Sequence, residues 1–258
     1  PTGGVAYPYT DRPEDIEAAK KVYFGFYNPI DNWTWNVSWF SDPVFLGHYP
    51  EEGLKKFAPY LPEITQEDME LIYQPLDFMG QNIYNGYPVR AGKDGRPEYV
   101  NREPGCPKTA YDWPVTPRAF YYGIRFLTER YGLPLYITEN GMSCHDCVSN
   151  DGRVHDSNRI TFLDRYISAM HRAYEEGYPI KGYFLWSFLD NFEWNKGYSE
   201  RFGLVYVDYR TQQRIVKDSA SWYQELMQTG GTNLSCMTGY RGSLELIPVC
   251  THNIWGGK

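Results

Sequence analysis

Three polar clusters each close an apolar run in this chain. Glu139 ends Leu135-Tyr136-Ile137-Thr138 and is followed at once by Asn140-Gly141. Asn82 and Tyr84 end the run that starts at Leu76, and Trp186 opens a stretch, 186–194, that also holds Glu193 and Trp194. A short run of buried-strand character, broken by Asn-Gly, puts its last carboxylate at the carboxyl end of a core strand. That rim is where reacting groups gather in parallel α/β folds. Cleavage of a glycosidic bond with retention uses two carboxyl groups about 5–5.5 Å apart, one an ionised nucleophile and one an acid of raised pKa. A tyrosine hydroxyl suits the nucleophile as a partner, because it donates a hydrogen bond without adding a full charge. Tryptophan faces suit the apolar side of a sugar ring, and carboxylates or amides suit its hydroxyls. Taken alone, Glu139 reads equally well as a strand-ending residue that caps the next turn.

Composition narrows the partners. The chain has 258 residues, of which 42% are hydrophobic and 22% charged, the balance of an ordinary globular domain. Its 24 Tyr and 8 Trp exceed what a core of this size needs and point to a carbohydrate cleft or an adhesive interface. A net charge of -7 argues against nucleic acid or an anionic membrane as partner. No apolar run approaches the ~20 residues of a membrane span, and no signal peptide is visible, so a cytoplasmic protein is expected. Five Cys at irregular spacing do not make a disulfide framework. Cys144 and Cys147 have metal-pair spacing, but zinc would need a second pair nearby, so neither metal nor cofactor is expected. The sequons at Asn32, Asn36 and Asn233 matter only in a secreted protein.

The elements that must position these residues read as alternating strands and helices. Val5 to Pro8 has the character of a strand tail. Helices are expected over about Pro13 to Tyr23 (Asp11 and Glu14 in capping-box spacing), Gly53 to Tyr60, Thr65 to Tyr73, Pro117 to Tyr131 and Asp156 to Glu176. Strands are expected over Leu76 to Tyr84, the Glu139 run, and Ile180 to Phe188. Residues 28–50 and 85–113 read as loops, the first crowded with Trp and Phe, the second long enough to be functional. Three strand ends converging on one rim fit a barrel better than a doubly wound sheet, although only three or four of the eight strands a closed barrel needs are visible.

Several stretches carry a family resemblance. Tyr136-Ile137-Thr138-Glu139-Asn140-Gly141 resembles the nucleophile signature of the family 1 glycoside hydrolases, the β-glucosidase family. Trp39-Phe40-Ser41-Asp42-Pro43, Asp77-Phe78-Met79-Gly80, Phe184-Leu185-Trp186-Ser187, Asp190-Asn191-Phe192-Glu193-Trp194, Arg201-Phe202-Gly203-Leu204-Val205 and Lys217-Asp218-Ser219-Ala220 agree in the family's order, covering roughly residues 5–230. The resemblance implies a partial (β/α)8 TIM barrel, roughly its last four βα units, over residues 1–230. It implies Glu139 as nucleophile, Tyr84 as its hydrogen-bonding tyrosine and Asn82 as an amide beside it. It implies Trp186 as the sugar platform, Glu193 and Trp194 as the pair on the far hydroxyls, and Phe202 as a pocket wall. The branch acting on 6-phospho sugars is expected to carry a small residue at position 193 and a Lys-x-Tyr pair where Glu200 and Phe202 stand. A β-D-glucoside, cellobiose or a short cello-oligosaccharide is therefore the expected substrate.

The departure is as informative. The Thr-Phe-Asn-Glu-Pro signature that carries the family's acid/base Glu is absent, with the rest of the amino-terminal half. The resemblance therefore implies a retaining glycoside hydrolase fragment, inactive alone, whose partner is an amino-terminal half-barrel. The competing reading is a sugar-binding remnant or pseudoenzyme with no acid to protonate the leaving oxygen. Beyond residue 230 periodicity stops, and residues 231–258 read as an unmatched, disordered tail.

Overall fold

The computed structural model describes residues 4–26 and 36–235. The chain begins with β1 (Val5–Pro8) and α1 (Pro13–Phe24). Three shorter helices follow: α2 (Val37–Leu46), α3 (Glu51–Phe57) and α4 (Gln66–Ile72). Next come β2 (Met79–Asn82), β3 (Gly86–Ala91), β4 (Pro97–Tyr99) and α5 (Pro117–Tyr131). The Glu139 strand is β5 (Leu135–Asn140), followed by α6 (Ser157–Glu175) and β6 (Ile180–Leu185). A hairpin of β7 (Val205–Val207) and β8 (Arg214–Val216) leads into α7 (Asp218–Thr229).

The segment from β2 to β3 behaves as one bent strand. β2 pairs in parallel with β5, and β5 with β6. Past the bend, β3 pairs in parallel with β1. At the bend, Ile83 N donates to Glu139 O at 3.0 Å and Val5 N donates to Asn85 O at 2.9 Å. The bend needs glycine at position 86, where a Cβ would stand 2.1 Å from Val5 O. β1, the bent β2–β3 segment, β5 and β6 thus lie side by side in parallel and alternate with α1, α5, α6 and α7. This is part of a (β/α)8 barrel.

The helices pack where the periodicity predicts. Ala119, Phe120, Ile124, Phe126 and Leu127 of α5 are fully buried, and Phe162, Leu163, Tyr166 and Ala173 of α6 meet them. Each of the Phe, Leu and Ile side chains among them is worth about 1.5–3 kcal/mol of burial. Gly132 closes α5 in the left-handed conformation. Thr65 and Asp68 form the expected capping box of α4.

Several expectations are corrected. Residues 37–46, read as loop, form α2, capped by Asn36, whose side chain accepts from Trp39 N. Part of the 85–113 loop is strand, β3 and β4. The strands expected over 76–84 and 180–188 are shorter, at 79–82 and 180–185. Asp11 does not cap α1, and Asp156 stands at the N-cap of α6 without a capping bond from its side chain: Asp11 accepts from Tyr122 and Arg118, and the Asp156 carboxylate from Ser219 and Arg159. Of the residues assigned to the tail, 231–235 continue past α7, with Leu234 buried and Ser235 N donating to Asp164 Oδ1 at 2.7 Å. Residues 236–258, with Cys236 and Cys250, lie outside the described residues, as do Trp33 and Trp35.

Candidate active site

β5 delivers Glu139 to the rim, and the end of the β2 segment delivers Tyr84 beside it. Tyr84 Oη donates to Glu139 Oε2 at 2.7 Å. Burial first, and then this bond to a carboxylate, push the Tyr84 phenol far above its ordinary pKa, so it stays protonated and remains a donor. The Tyr84 carbonyl accepts from Tyr166 Oη at 2.9 Å, which ties the residue's backbone to α6. Asn82 stands on the neighbouring strand, where its Oδ1 accepts from Thr138 Oγ1 at 2.7 Å.

The two residues after Glu139 lock the strand end. Asn140 is buried, donates to Ile83 O at 2.8 Å and accepts from Tyr183 Oη at 2.9 Å, riveting the bent strand and β6 to β5. Trp186 N donates to Asn140 O at 2.8 Å. A Cβ on Gly141 would fall 1.8 Å from Trp186 O, so the approach of β5 to the Trp186 backbone requires glycine there.

Beyond β6 the chain runs alongside the 202–207 segment. Ser187 N donates to Phe202 O, Leu204 N to Ser187 O, and Asp190 N to Val205 O at 3.0 Å. This ladder sets Trp186, Glu193 and Phe202 near one another. Trp186 Nε1 donates to Glu193 Oε2 at 3.4 Å, and Glu193 is 8% exposed. Burial raises the Glu193 carboxyl pKa, the Trp186 bond opposes this, and the Glu139 and Glu200 charges add to the rise. Trp194 behaves otherwise. It begins a 3-10 turn and is 80% exposed, and the structure does not bring it against Glu139.

Sequence reasoning missed part of the wall. The Trp113 ring lies 5.2 Å from Tyr84, 4.5 Å from Tyr111 and 6.1 Å from Phe202, so an aromatic band joins the Glu139 partner to the Phe202 segment. The loop carrying it is pinned to the chain after β5: Ala110 N donates to Ser143 O at 3.0 Å and Tyr111 N to Ser143 Oγ at 2.9 Å. The only signal for these residues was the aromatic excess, since their loop has no periodicity.

A buried charge network holds the loops behind the site. Lys217 Nζ donates to Asp146 at 2.6 Å and to Asp190 at 2.7 Å. Arg159 reaches the same Asp146 at 2.7 Å and also Asp156, while Arg201 reaches Asp190 at 2.6 Å. Asp190 further accepts from Gly203 N at 3.0 Å. Three acids thus face three bases, Arg159, Arg201 and Lys217, a balance that buried charges need. Among the described residues no group of His, Cys, Asp and Glu side chains could hold a metal.

The fold and its rim define a segment of parallel (β/α)8 barrel carrying a tyrosine-bound carboxylate and an aromatic, acidic pocket. Residues 3–232 match the Glycosyl hydrolase family 1 profile, and the chain belongs to that family. It is 43% identical over 229 residues to Beta-glucosidase A of Thermotoga maritima, covering 88% of this chain and 49% of that protein. It is 42% identical over 231 residues to the 1,4-beta-D-glucan glucohydrolase of Thermotoga neapolitana, covering 88% of this chain and 50% of the relative. The solved beta-glucosidase from Thermotoga maritima in complex with glucoimidazole superposes with a TM-score of 0.73 at 43% identity, covering 89% of this chain and 50% of that one. The chain therefore spans about half the length of the curated relatives it matches.

Proposed function

We propose that this chain contributes the nucleophile side of a retaining β-glucosidase-type glycoside hydrolase. Its substrates are β-D-glucosides, cellobiose and short cello-oligosaccharides. The observation that carries the reading is the Tyr84–Glu139 hydrogen bond at the carboxyl end of β5. In this reading the Glu139 carboxylate attacks the anomeric carbon, the aglycone oxygen leaves with a proton from an acid, and water then hydrolyses the glycosyl ester. Tyr84 orients the nucleophile. Trp186 underlies the sugar, Glu193 and Trp194 bind its far hydroxyls, Asn82 contacts it beside Glu139, and Phe202 closes one wall. Among the described residues Glu193 is a carboxylate that the Glu139 charge reaches, and in this reading it is committed to Trp186 and the sugar. The proton donor is therefore assigned to the rest of the barrel, a half-barrel partner, and the chain alone is inactive on ordinary glucosides.

An activated 2,4-dinitrophenyl 2-deoxy-2-fluoro-β-D-glucoside needs no acid for the first step. Intact-mass measurement should show a covalent adduct on Glu139, lost in Glu139→Gln. A folded chain that gives no adduct would favour a sugar-binding remnant instead.

A further inference from the structure

Tyr84 stands where the sheet changes partner. β2 ends at Asn82 and β3 begins at Gly86, and between them the chain passes from the edge of β5 to the edge of β1. A regular ladder fixes a strand residue through its own amide and carbonyl, but residues 83–85 lie between two ladders. Side chains take over part of that work. Asn140 holds Ile83 O from within β5. The Tyr84 carbonyl is held from the helix layer, by Tyr166 of α6.

The Tyr166 hydroxyl is used twice. Its O–H donates to Tyr84 O at 2.9 Å, and the same oxygen accepts from Thr116 N at 2.8 Å, just before α5. Thr116 Oγ1 in turn accepts from Gly86 N at 3.0 Å. Tyr166 and Thr116 thus grip the bend on both sides of Asn85, and both are fully buried. Phe162 stacks on the Tyr166 ring with 3.9 Å between centres, and Phe120 lies 5.3 Å away, which leaves the ring little room to turn. Thr116 also follows Trp113 by three residues, so the same hydroxyl anchors the end of the loop whose ring lies against Tyr84.

The Tyr84 hydroxyl meets Glu139 at 2.7 Å, and a reacting group of this kind must be held to within about 0.5 Å of its productive position. We propose that Tyr166 is a positioning residue. With Thr116 it sets the backbone of Tyr84, and through the Tyr84 hydroxyl it sets the aim of the Glu139 carboxylate. This rests on Glu139 being the nucleophile, as proposed above.

A double-mutant cycle on adduct formation with 2,4-dinitrophenyl 2-deoxy-2-fluoro-β-D-glucoside tests it. Tyr166→Phe keeps the ring and removes one oxygen. It should lower the saturating rate of adduct formation by about fivefold and leave the half-saturating glucoside concentration unchanged. In a Tyr84→Phe chain, where no hydroxyl remains to be aimed, adding Tyr166→Phe should change the rate by less than about twofold. Thr116→Val should repeat both results, and its cycle decides alone if Tyr166→Phe does not fold. A folded Tyr166→Phe chain that reacts at the wild-type rate overturns the inference and leaves the nucleophile reading intact. An effect of the same size with and without the Tyr84 hydroxyl also overturns it, because general loosening of the fold would act that way. A folded wild-type chain that gives no adduct overturns the nucleophile reading and this inference with it.

Discussion

Replacing Tyr84 with Phe removes one hydroxyl and leaves the ring against Trp113. If that hydroxyl orients the nucleophile, Tyr84→Phe should slow adduct formation at Glu139 by about 10- to 100-fold, the loss of one charge-assisted hydrogen bond. Time-resolved intact-mass measurement reads this directly, and thermal unfolding should barely move. Gly141→Ala should do the reverse. Its new Cβ meets the Trp186 carbonyl rather than a flexible side chain, so roughly 3 kcal/mol of stability should be lost in urea unfolding. Glu193 makes a pH prediction. Its folded pKa is raised, chiefly by burial, so the folded state holds the proton more tightly than the unfolded chain. Its contribution is favourable at low pH and fades as pH climbs through the interval between the ordinary carboxylate value and the raised one. Glu193→Gln should flatten that part of a stability-versus-pH curve, and a steeper curve in the variant would contradict the assigned direction.

Elements explain why some of this was legible and some not. α5 and α6 show long apolar periodicity and a glycine stop, so their existence could be read directly. α2 could not: Pro43 lies inside it, and its mean composition is apolar and aromatic rather than striped. Its Trp39 packs on Phe26, Tyr49 and Phe57, contacts between segments that no local pattern announces. β3 was hidden by Pro88 and by the turn residues around it. Of the candidate site, Glu139, Tyr84, Trp186, Glu193 and Phe202 lie in motifs, and the structure pairs Tyr84 with Glu139 and Trp186 with Glu193, whereas Trp113 and Tyr111 join through a loop pinned to Ser143. The Lys217 network belongs to this scale as well, because it ties the β5–α6 loop to the 186–203 loop at the start of α7. Lys217→Met leaves Asp146 and Asp190 facing each other in a buried setting and should cost about 3–5 kcal/mol. Arg210→Ala removes only an exposed contact to Asp208 at 3.9 Å and should change stability by less than about 0.5 kcal/mol. Chemical denaturation of both variants separates the two cases.

For the whole molecule, the sheet face turned away from the helices decides behaviour. Phe184 is 58% exposed and Phe188 72%, and Phe78 and Tyr136 pair on the same side at 5.0 Å. Among the described residues β6 pairs only with β5, which leaves its outer edge open. Such a face binds apolar dyes and recruits strands. The chain alone should therefore enhance 1-anilinonaphthalene-8-sulfonate fluorescence several-fold over a closed barrel of the same family. Co-expression with an amino-terminal half-barrel from a family relative should suppress that signal and yield hydrolysis of p-nitrophenyl β-D-glucoside. Suppression without turnover would weigh against Glu139 as half of a catalytic pair.

The Asn140 rivet has a consequence for chemical ageing. Asn-Gly is the sequence most prone to deamidation, because the glycine nitrogen can swing onto the side-chain amide and close a succinimide ring. Here both amide atoms of Asn140 are engaged, and its neighbour is pressed against Trp186. The folded chain should keep Asn140 intact during storage, while the unfolded chain should lose it quickly. A one-dalton mass gain at this residue would then record how long a sample has spent with β5 detached from the sheet.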